Sequence, residues 1–541
     1  MNVQKVRRMP RARLVVALFI ILLSVIALLT RAPTAPAQSP AGAPPGPPKR
    51  GGELVISTFE DADRLDPTFG GTAGGREIFF NMCEPLYDLS ADGTIVPRLA
   101  AELPRFSADG LTATILLRRD VRFNDGTPMD AQAVKITLDR YRTLAGSRRA
   151  SELSAVTDVS VVDPRTVRLT LSRPLAPLLA TLSDRAGMVM SSTQLQKLGD
   201  NFADNPVCVG PFSFVERVIG DRIVLQRSKY YYDANNVYLD RVIFKPIPDE
   251  NVRFLNLRSG DLHIVDRLAA SDILAVQRDP KFTLLTVTSN GYVPISINIA
   301  NVAGIGQTPG RVDSPMTNLQ LREAFELALD RDRINRFVFG AKQLPACNPI
   351  APVNAYYPKD LTCPGRNIAR AKELVARSGA PTPVTVELTV PNTPVMVRMG
   401  ELIQSMVRDA GFNIALRPIE AATGLAANTA GRFQMSVTPW SGRVDPDGNL
   451  YAFHHSKGSD NYGNAQDPEI DALLDKQRVE TNLEARKKLI AEVIAKIRAR
   501  RNVIYLYHQN LFAAYSTRVV GFQMFADGMP RLKSAGFAAD R

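Results

Sequence analysis

Residues 384–418 constrain the fold more than any other stretch. Val384 to Val390 (VTVELTV) is a β-branched run of strand length. Val395 to Ala410 then places Met399, Leu402, Ile403, Met406 and Ala410 on one face of a helix. Gly411 falls where a glycine commonly ends a helix, and Phe412 to Pro418 is a second strand-like run. A strand, a helix of that length and another strand form a parallel pair with a crossover. The chain therefore belongs to the α/β class.

At 541 residues it is too long for a single core. Gly52 to Thr58 reads as a first strand. Residues 90–195 look like a small α+β module, with a strand at Leu111 to Leu117 and a helix capped by Asp130. A hairpin from Val156 to Leu171, turning at Asp163-Pro164, completes it. Strands follow at Ile223 to Leu225, Val242 to Pro246 and His263 to Val265, with a helix from Asp249 to Leu257. Beyond residue 290 helix predominates. Leu319 to Val338 reads as one long amphipathic segment, and Asp467-Pro468 opens another helix. An apolar run, Val503 to Tyr507, precedes the tail.

The N-terminus reads as an export signal. Basic residues from Lys5 to Arg13 precede an apolar run from Leu14 to Leu29, then Ala35-Pro36-Ala37 offers an A-x-A cleavage site. Residues 1–37 are the signal and 38–50 a Pro/Ala-rich spacer; an uncleaved anchor is the alternative. The formal charge of +12 suggests a nucleic-acid partner until it is located: six of those charges lie in the first 37 residues, which contain no acid. The remainder carries no basic block of nucleic-acid type, so none is expected as a partner.

An exported chain with four cysteines permits disulfides. Cys347 and Cys363 flank a Pro- and Asn-rich loop and are expected to pair, leaving Cys83 with Cys208; four unpaired thiols are the alternative. The chain has no C-x-x-C, G-x-S-x-G or H-E-x-x-H, and its paired glycines lack the G-K-[ST] of a phosphate loop. His454 and His455 are adjacent and, as strand neighbours, would point to opposite faces, which disfavours a shared metal. The expectation is a binding protein, not an enzyme, without cofactor or metal.

LAAELPRFSADGLTATILLRRDVRFNDGTPMDAQAV (Leu99 to Val134) resembles the signature segment of the periplasmic solute-binding proteins of the peptide/nickel class, solute-binding family 5. Leu65-Asp66-Pro67, Glu84-Pro85-Leu86-Tyr87, Asn205-Pro206-Val207 with Val209-Gly210-Pro211-Phe212, and Leu321 to Arg331 resemble further family segments in the same order. The resemblance implies a two-lobed periplasmic-binding-protein fold, type II-like, with the small module inserted in the first lobe. It implies lobes at 51–290 and 291–505, with 506–541 returning to the first. It also implies a ligand enclosed by hinge closure and delivered to an ABC permease in the inner membrane by a monomeric carrier. Cargo would be a peptide or peptide-like solute; the alternatives are another anionic solute or a metal chelate, and beyond these a hydrolase or a chaperone-like binder.

WSGRVDPDGN (Trp440 to Asn449) contains the chain's one tryptophan and reads as a solvent-facing turn. In peptide-binding relatives the matching region carries an aspartate for the ligand's ammonium, and Arg443 stands there in this sequence. A guanidinium suits a carboxylate instead. The competing reading is that Arg443 merely braces the turn by pairing with Asp445 or Asp447. Trp440, Ser441 and Arg443 are thus ligand-binding candidates, joined by Thr72, Arg76, Asn298 and Tyr462 from their positions.

Overall fold

The computed structural model describes residues 48–539; the export signal and most of the spacer lie outside them. The first lobe begins with β1 (Glu53–Thr58) and α1 (Ala73–Met82). The inserted module follows as a four-stranded antiparallel sheet from Arg105–Phe106 to Thr166–Leu171, with α2 (Ala131–Thr143) packed on it. Asp130 caps α2 by accepting from the Ala133 N–H, and Val134, Leu138 and Tyr141 are its buried face. The lobe then returns to the main sheet through β2 (Phe212–Val218), β3 (Arg222–Arg227), β4 (Arg241–Pro246) and β5 (Ile264–Val265).

Two long strands join the lobes. β6 (Phe282–Ile297) runs into the second lobe, and the last long strand, Val503–Ser516, runs back antiparallel beside it. Between them lie α3 (Leu319–Ala328), α4 (Arg331–Phe339), β7 (Val384–Pro391), α5 (Pro394–Arg408), β8 (Phe412–Ile419) and β9 (Met435–Val437). Then come α6 (Asp447–His454), α7 (Pro468–Val479) and α8 (Leu483–Arg500), and the returning strand is β10. One sheet passes through both lobes in the order β8-β7-β9-β6-β10-β5-β1-β4-β3-β2. β7 and β8 are parallel over eight residues, because α5 carries the chain back between them. β1 is parallel to both β4 and β5.

Amphipathic periodicity across residues 319–338 does not yield one helix. The chain breaks at Leu329-Asp330, where Asp330 turns its carboxylate back onto the Arg333 N–H and starts α4 as a new helix. A side-chain acceptor at that point competes with the helical ladder, and the apolar period cannot register it.

The cores are separate. One cluster collects Leu54, Ile56 and Phe244 with the inserted module, and takes in Leu511, Ala513 and Leu532 from the C-terminal return. Another lies between α3, α5 and the β7–β9 sheet, and a third holds Leu450, Phe453 and Ile494. Both disulfides are formed: Cys347–Cys363, and Cys83–Cys208 across 125 residues of chain. Cys83 is the C-cap of α1, so the latter bond fastens the cleft-facing helix to its own lobe.

The Cys83–Cys208 bond closes the longer loop and so restricts the unfolded chain most. The double variant C83A/C208A is expected to lose about 2–5 kcal/mol of stability in denaturant unfolding under oxidising conditions. An unchanged midpoint would show that the lobe is held without it.

Candidate functional site

Between the lobes lies a small cavity, with about 40 Å³ of room for the centres of water-sized molecules. Its wall includes Arg76, Glu152 and Asp184 from the first lobe and Trp440, Arg443 and Asp447 from the second. The lobes also touch around its rim: Arg148 Nη1 lies 3.0 Å from Asp460 Oδ1, and Arg173 Nη2 lies 2.7 Å from Asp475 Oδ1.

Arg76 is aimed by α1. Thr72 caps that helix, its hydroxyl accepting from the Gly75 N–H. Glu60 Oε1 accepts from the first two helical N–H groups, of Ala73 at 2.7 Å and Gly74 at 3.1 Å. One turn in, the Arg76 guanidinium meets Asp184 in fork geometry, Nε to Oδ1 at 3.2 Å and Nη2 to Oδ2 at 2.6 Å. Its Nη1 donates to Ser441 Oγ and to the Asp527 carbonyl, both at 3.1 Å.

The tryptophan stretch is no solvent-facing turn. Gly442, Arg443, Asp447 and Asn449 are buried and Trp440 is half-buried. Trp440 exchanges two backbone hydrogen bonds with Tyr292 of β6, so the stretch is stitched to a lobe-joining strand. Gly442 has φ +79°, and a Cβ there would lie 2.2 Å from the Asn290 carbonyl carbon. Only glycine meets both conditions. Asn449 fixes the two candidate side chains together: its Oδ1 accepts from Trp440 Nε1 at 2.9 Å and from the Arg443 N–H at 2.8 Å. The Arg443 guanidinium carbon stands 4.2 Å from the centre of the tryptophan ring, a cation–π contact.

Arg443 does not pair with its own turn. Asp445 is clamped by Arg486 at 2.6 Å and Asp447 by Arg478 at 2.7 Å. The nearest carboxylate to Arg443 is Asp184 of the opposite lobe, Nε to Oδ2 at 3.3 Å. Arg443 Nη1 donates to the Gly442 carbonyl at 2.8 Å, and Nη2 makes no hydrogen bond among the described residues.

The charges around the cavity follow one pattern. Glu152, Asp445, Asp447, Asp460 and Asp527 each have an arginine: Arg149, Arg486, Arg478, Arg148 and Arg531 in turn. Asp184 alone serves both Arg76 and Arg443, with Arg185 Nε 3.7 Å away. The lining itself has two arginines and six carboxylates, but five of those carboxylates are matched by arginines set behind it, while Asp184 is shared by both wall arginines. Burial opposes ionisation of Asp184, but Arg76, Arg443 and Arg185 outweigh it and hold the carboxyl well below its usual range. Burial pulls Arg443 down to about 10, with Asp184 opposing and Arg76 adding to the fall, so it stays charged at neutral pH.

The other sequence candidates lie elsewhere. Asn298 is fully buried in the second lobe, its amide donating to the Asn301, Gly431 and Phe433 carbonyls. Thr72 acts as a helix cap. Tyr462 is buried behind the wall and donates to Asp460 Oδ1 at 2.9 Å, while Ser441 touches the cleft only through Arg76 and Arg443. His454 and His455 end a helix, not a strand: His454 bonds the Tyr505 hydroxyl and His455 stacks on Tyr451. No cluster among the described residues could hold a metal ion. Among the wall residues that sequence reasoning did not select, Asp184 is the one that meets Arg443 across the cleft. Its signal was Asp184-Arg185 as the only charged pair within the apolar run from Leu175 to Met190.

Comparison with known proteins places these features. The model of the bacterial extracellular solute-binding proteins, family 5 Middle, matches residues 94–461. The glutathione-binding protein GsiB of Pectobacterium atrosepticum is 24% identical over 493 residues, 88% of this chain and 92% of the relative. GsiB of Salmonella choleraesuis is 25% identical over 397 residues, 72% of this chain and 75% of the relative. Among solved structures, AgaA from A. tumefaciens R10 in complex with agropinic acid superposes with a TM-score of 0.82 at 24% identity, covering 91% of this chain and 99% of that one. AppA of Bacillus subtilis in complex with a nonapeptide also gives 0.82, at 20% identity, covering 91% and 100%.

Glu60 is a pH-dependent support for this site. Burial, with Asp63 adding to it, pushes its carboxyl up to about 7 from an ordinary 4.5, against the Gly74 and Ala73 N–H groups that favour the charged form. Between those values the folded chain keeps a proton that the unfolded chain has lost, so this contribution falls as pH rises from 4.5 to 7. E60Q keeps the acceptor for α1 and removes the titration. Its melting temperature relative to the parent is expected to rise between pH 5 and pH 8; parallel profiles would exclude the effect.

Proposed function

The chain belongs to the bacterial extracellular solute-binding proteins of family 5, and from that premise we propose that its cargo is a small peptide-like solute bearing a carboxylate. As a member of that family it is the substrate-binding component of an ABC importer. It captures solute between two lobes and hands it to the permease, and it is not an enzyme. Closing the lobes removes water from the site, which strengthens each polar contact to the cargo. The permease then meets a closed carrier whose population the cargo has raised.

The observation that carries the cargo reading is that two wall guanidiniums share the one carboxylate of Asp184, with Arg443 lying on Trp440 and its Nη2 free of hydrogen bonds among the described residues. Every other carboxylate around the cavity has its own arginine, so an arriving anion meets unmatched positive charge. A carboxylate there makes charge-assisted hydrogen bonds, and the indole offers an apolar face to the rest of the solute. An ammonium would meet like charge. Glutathione, named for the GsiB relatives, is a peptide with two carboxylates and falls in the proposed class.

The division of the chain belongs to the same proposal: lobes at 51–290 and 291–505, with 506–541 returning to the first. Its support is that Leu511, Ala513 and Leu532 pack with Leu54 and Ile56, while Ile295 and Ile504 pack with Val386 and Met435. The family places the protein in the periplasm, and no helix among the described residues is long and apolar enough to cross a membrane. Residues 1–37 fit this place as a cleaved signal.

Native mass spectrometry of the purified protein is expected to find a retained solute with a carboxylate. Titration calorimetry with a tripeptide, its N-acetyl form and its C-terminal amide then separates the charges. Acetylation is expected to be neutral and amidation costly. R443D should weaken the retained solute by about 100-fold, the scale of a lost buried charge-assisted pair. Unchanged affinity in R443D would overturn the carboxylate reading.

A further inference from the structure

Asp184 sits on one lobe and faces an arginine of the other. It packs among Leu182, Ala186 and Met188, all in the first lobe's core. Its own lobe holds it rigidly: Oδ1 accepts from Arg76 Nε at 3.2 Å and from the Arg185 N–H at 2.7 Å, and Oδ2 accepts from Arg76 Nη2 at 2.6 Å. The remaining approach to Oδ2 is taken by Arg443 Nε at 3.3 Å, from the second lobe. In return Arg76 Nη1 reaches Ser441 Oγ beside Arg443. Two guanidiniums, one from each lobe, thus interlock on one carboxylate.

We propose that Asp184 is a positioning residue that couples cargo recognition to lobe closure by holding the Arg443 guanidinium in place across the cleft. Within its own lobe Arg443 has the Trp440 face, the Gly442 carbonyl and a 3.5 Å contact to Ser441 Oγ, none of which is an anion. A charged group with neutral partners turns toward water when the cleft opens, because solvation then outweighs a single carbonyl bond. On closure Asp184 supplies the missing counter-charge and presents the free Nη2 edge to the cavity. The carboxylate of Asp184 offsets only one of the guanidiniums gathered on it, Arg76, Arg443 and Arg185, and a cargo carboxylate offsets another. A closed form without cargo is therefore held but carries unmatched positive charge, and a cargo carboxylate reduces it. The identity of the cargo's charge rests on the proposed function above; the coupling of Arg443 to closure does not.

Trp440 is the only tryptophan, lies under Arg443 and belongs to the lobe that does not contain Asp184, so its emission reports the coupling directly. The full chain, freed of retained solute, is measured as parent, D184N and D184E by small-angle scattering and tryptophan emission. D184N is expected to have a larger radius of gyration and a red-shifted emission, with D184E, which keeps the charge, close to the parent. With glutathione as probe, stopped-flow emission should show release from D184N at least about 10-fold faster and capture within about 2-fold of the parent. A role confined to first-lobe packing would leave the Trp440 signal of the cargo-free protein unmoved, and that result overturns the proposal. If D184N does not fold, R443Q leaves the first lobe intact and must enlarge the cargo-free protein in scattering; an unchanged radius there is equally decisive against it. Failure of the carboxylate reading looks different: R443D keeps its affinity while D184N still opens the cargo-free protein.

Discussion

Two antiparallel strands, β6 and β10, carry both lobes, and their ladder cannot be continuous if the lobes are to turn on one another. It is regular up to Thr288 and resumes at Tyr292, with Ser289, Asn290 and Gly291 displaced from the register. The displaced segment finds other partners. The Asn290 N–H bonds the Ala526 carbonyl, the Gly291 N–H bonds Ser289 Oγ, and Gln509 Nε2 spans the Tyr292 and Trp440 carbonyls at 3.2 Å each. An interrupted ladder with satisfied backbone groups is a place where a sheet bends at low cost. The tryptophan stretch is seated there, so Trp440 and Arg443 are attached where the joining strands lose their register.

The electrostatics of the cleft depend on the same seating. Ion pairs removed from water are stabilising only where geometry and additional hydrogen bonds repay desolvation. The pairs formed by the wall carboxylates Asp445 and Asp447 meet that condition. Arg486 grips Asp445 with two nitrogens and also donates to Gln477, and Arg478 grips Asp447 while lying over the Tyr451 ring. These pairs fix the turn, which frees Arg443 from that duty. Arg443 is then the one cation of the stretch available to the opposite lobe and to a solute.

Much of the scaffold was legible. The βαβ unit at 384–418, the cap at Asp130 and the hairpin turning at Asp163-Pro164 stand where local pattern put them, because apolar period and capping chemistry are read within one element. The segment 319–338 was misread because its period continues through a break set by the Asp330 side chain. His454 and His455 were misread as strand neighbours because an eight-residue helix shows too few turns to declare its period. Asn298 looked like a cleft residue because it lies beside a lobe crossing, yet its amide closes three backbone carbonyls in the core. Polar residues near a cleft serve the backbone as often as the ligand, and only their partners distinguish the two.

Family, lobe architecture and class of activity were determined by sequence alone, since they rest on ordered local motifs and on periodicity within elements. Arg76, Trp440 and Arg443, chosen from the sequence, do line the cavity between the lobes. Which carboxylate Arg443 faces was decided only by the tertiary structure. Asp445 and Asp447 stand two and four residues away, and Asp184 is 259 residues back in the chain. Proximity in sequence favours the near pair; Arg486 and Arg478, brought in by α8 and α7, take it, and the packing of the first lobe against the second supplies the distant one. The charge of a site is a sum over elements that only packing assembles.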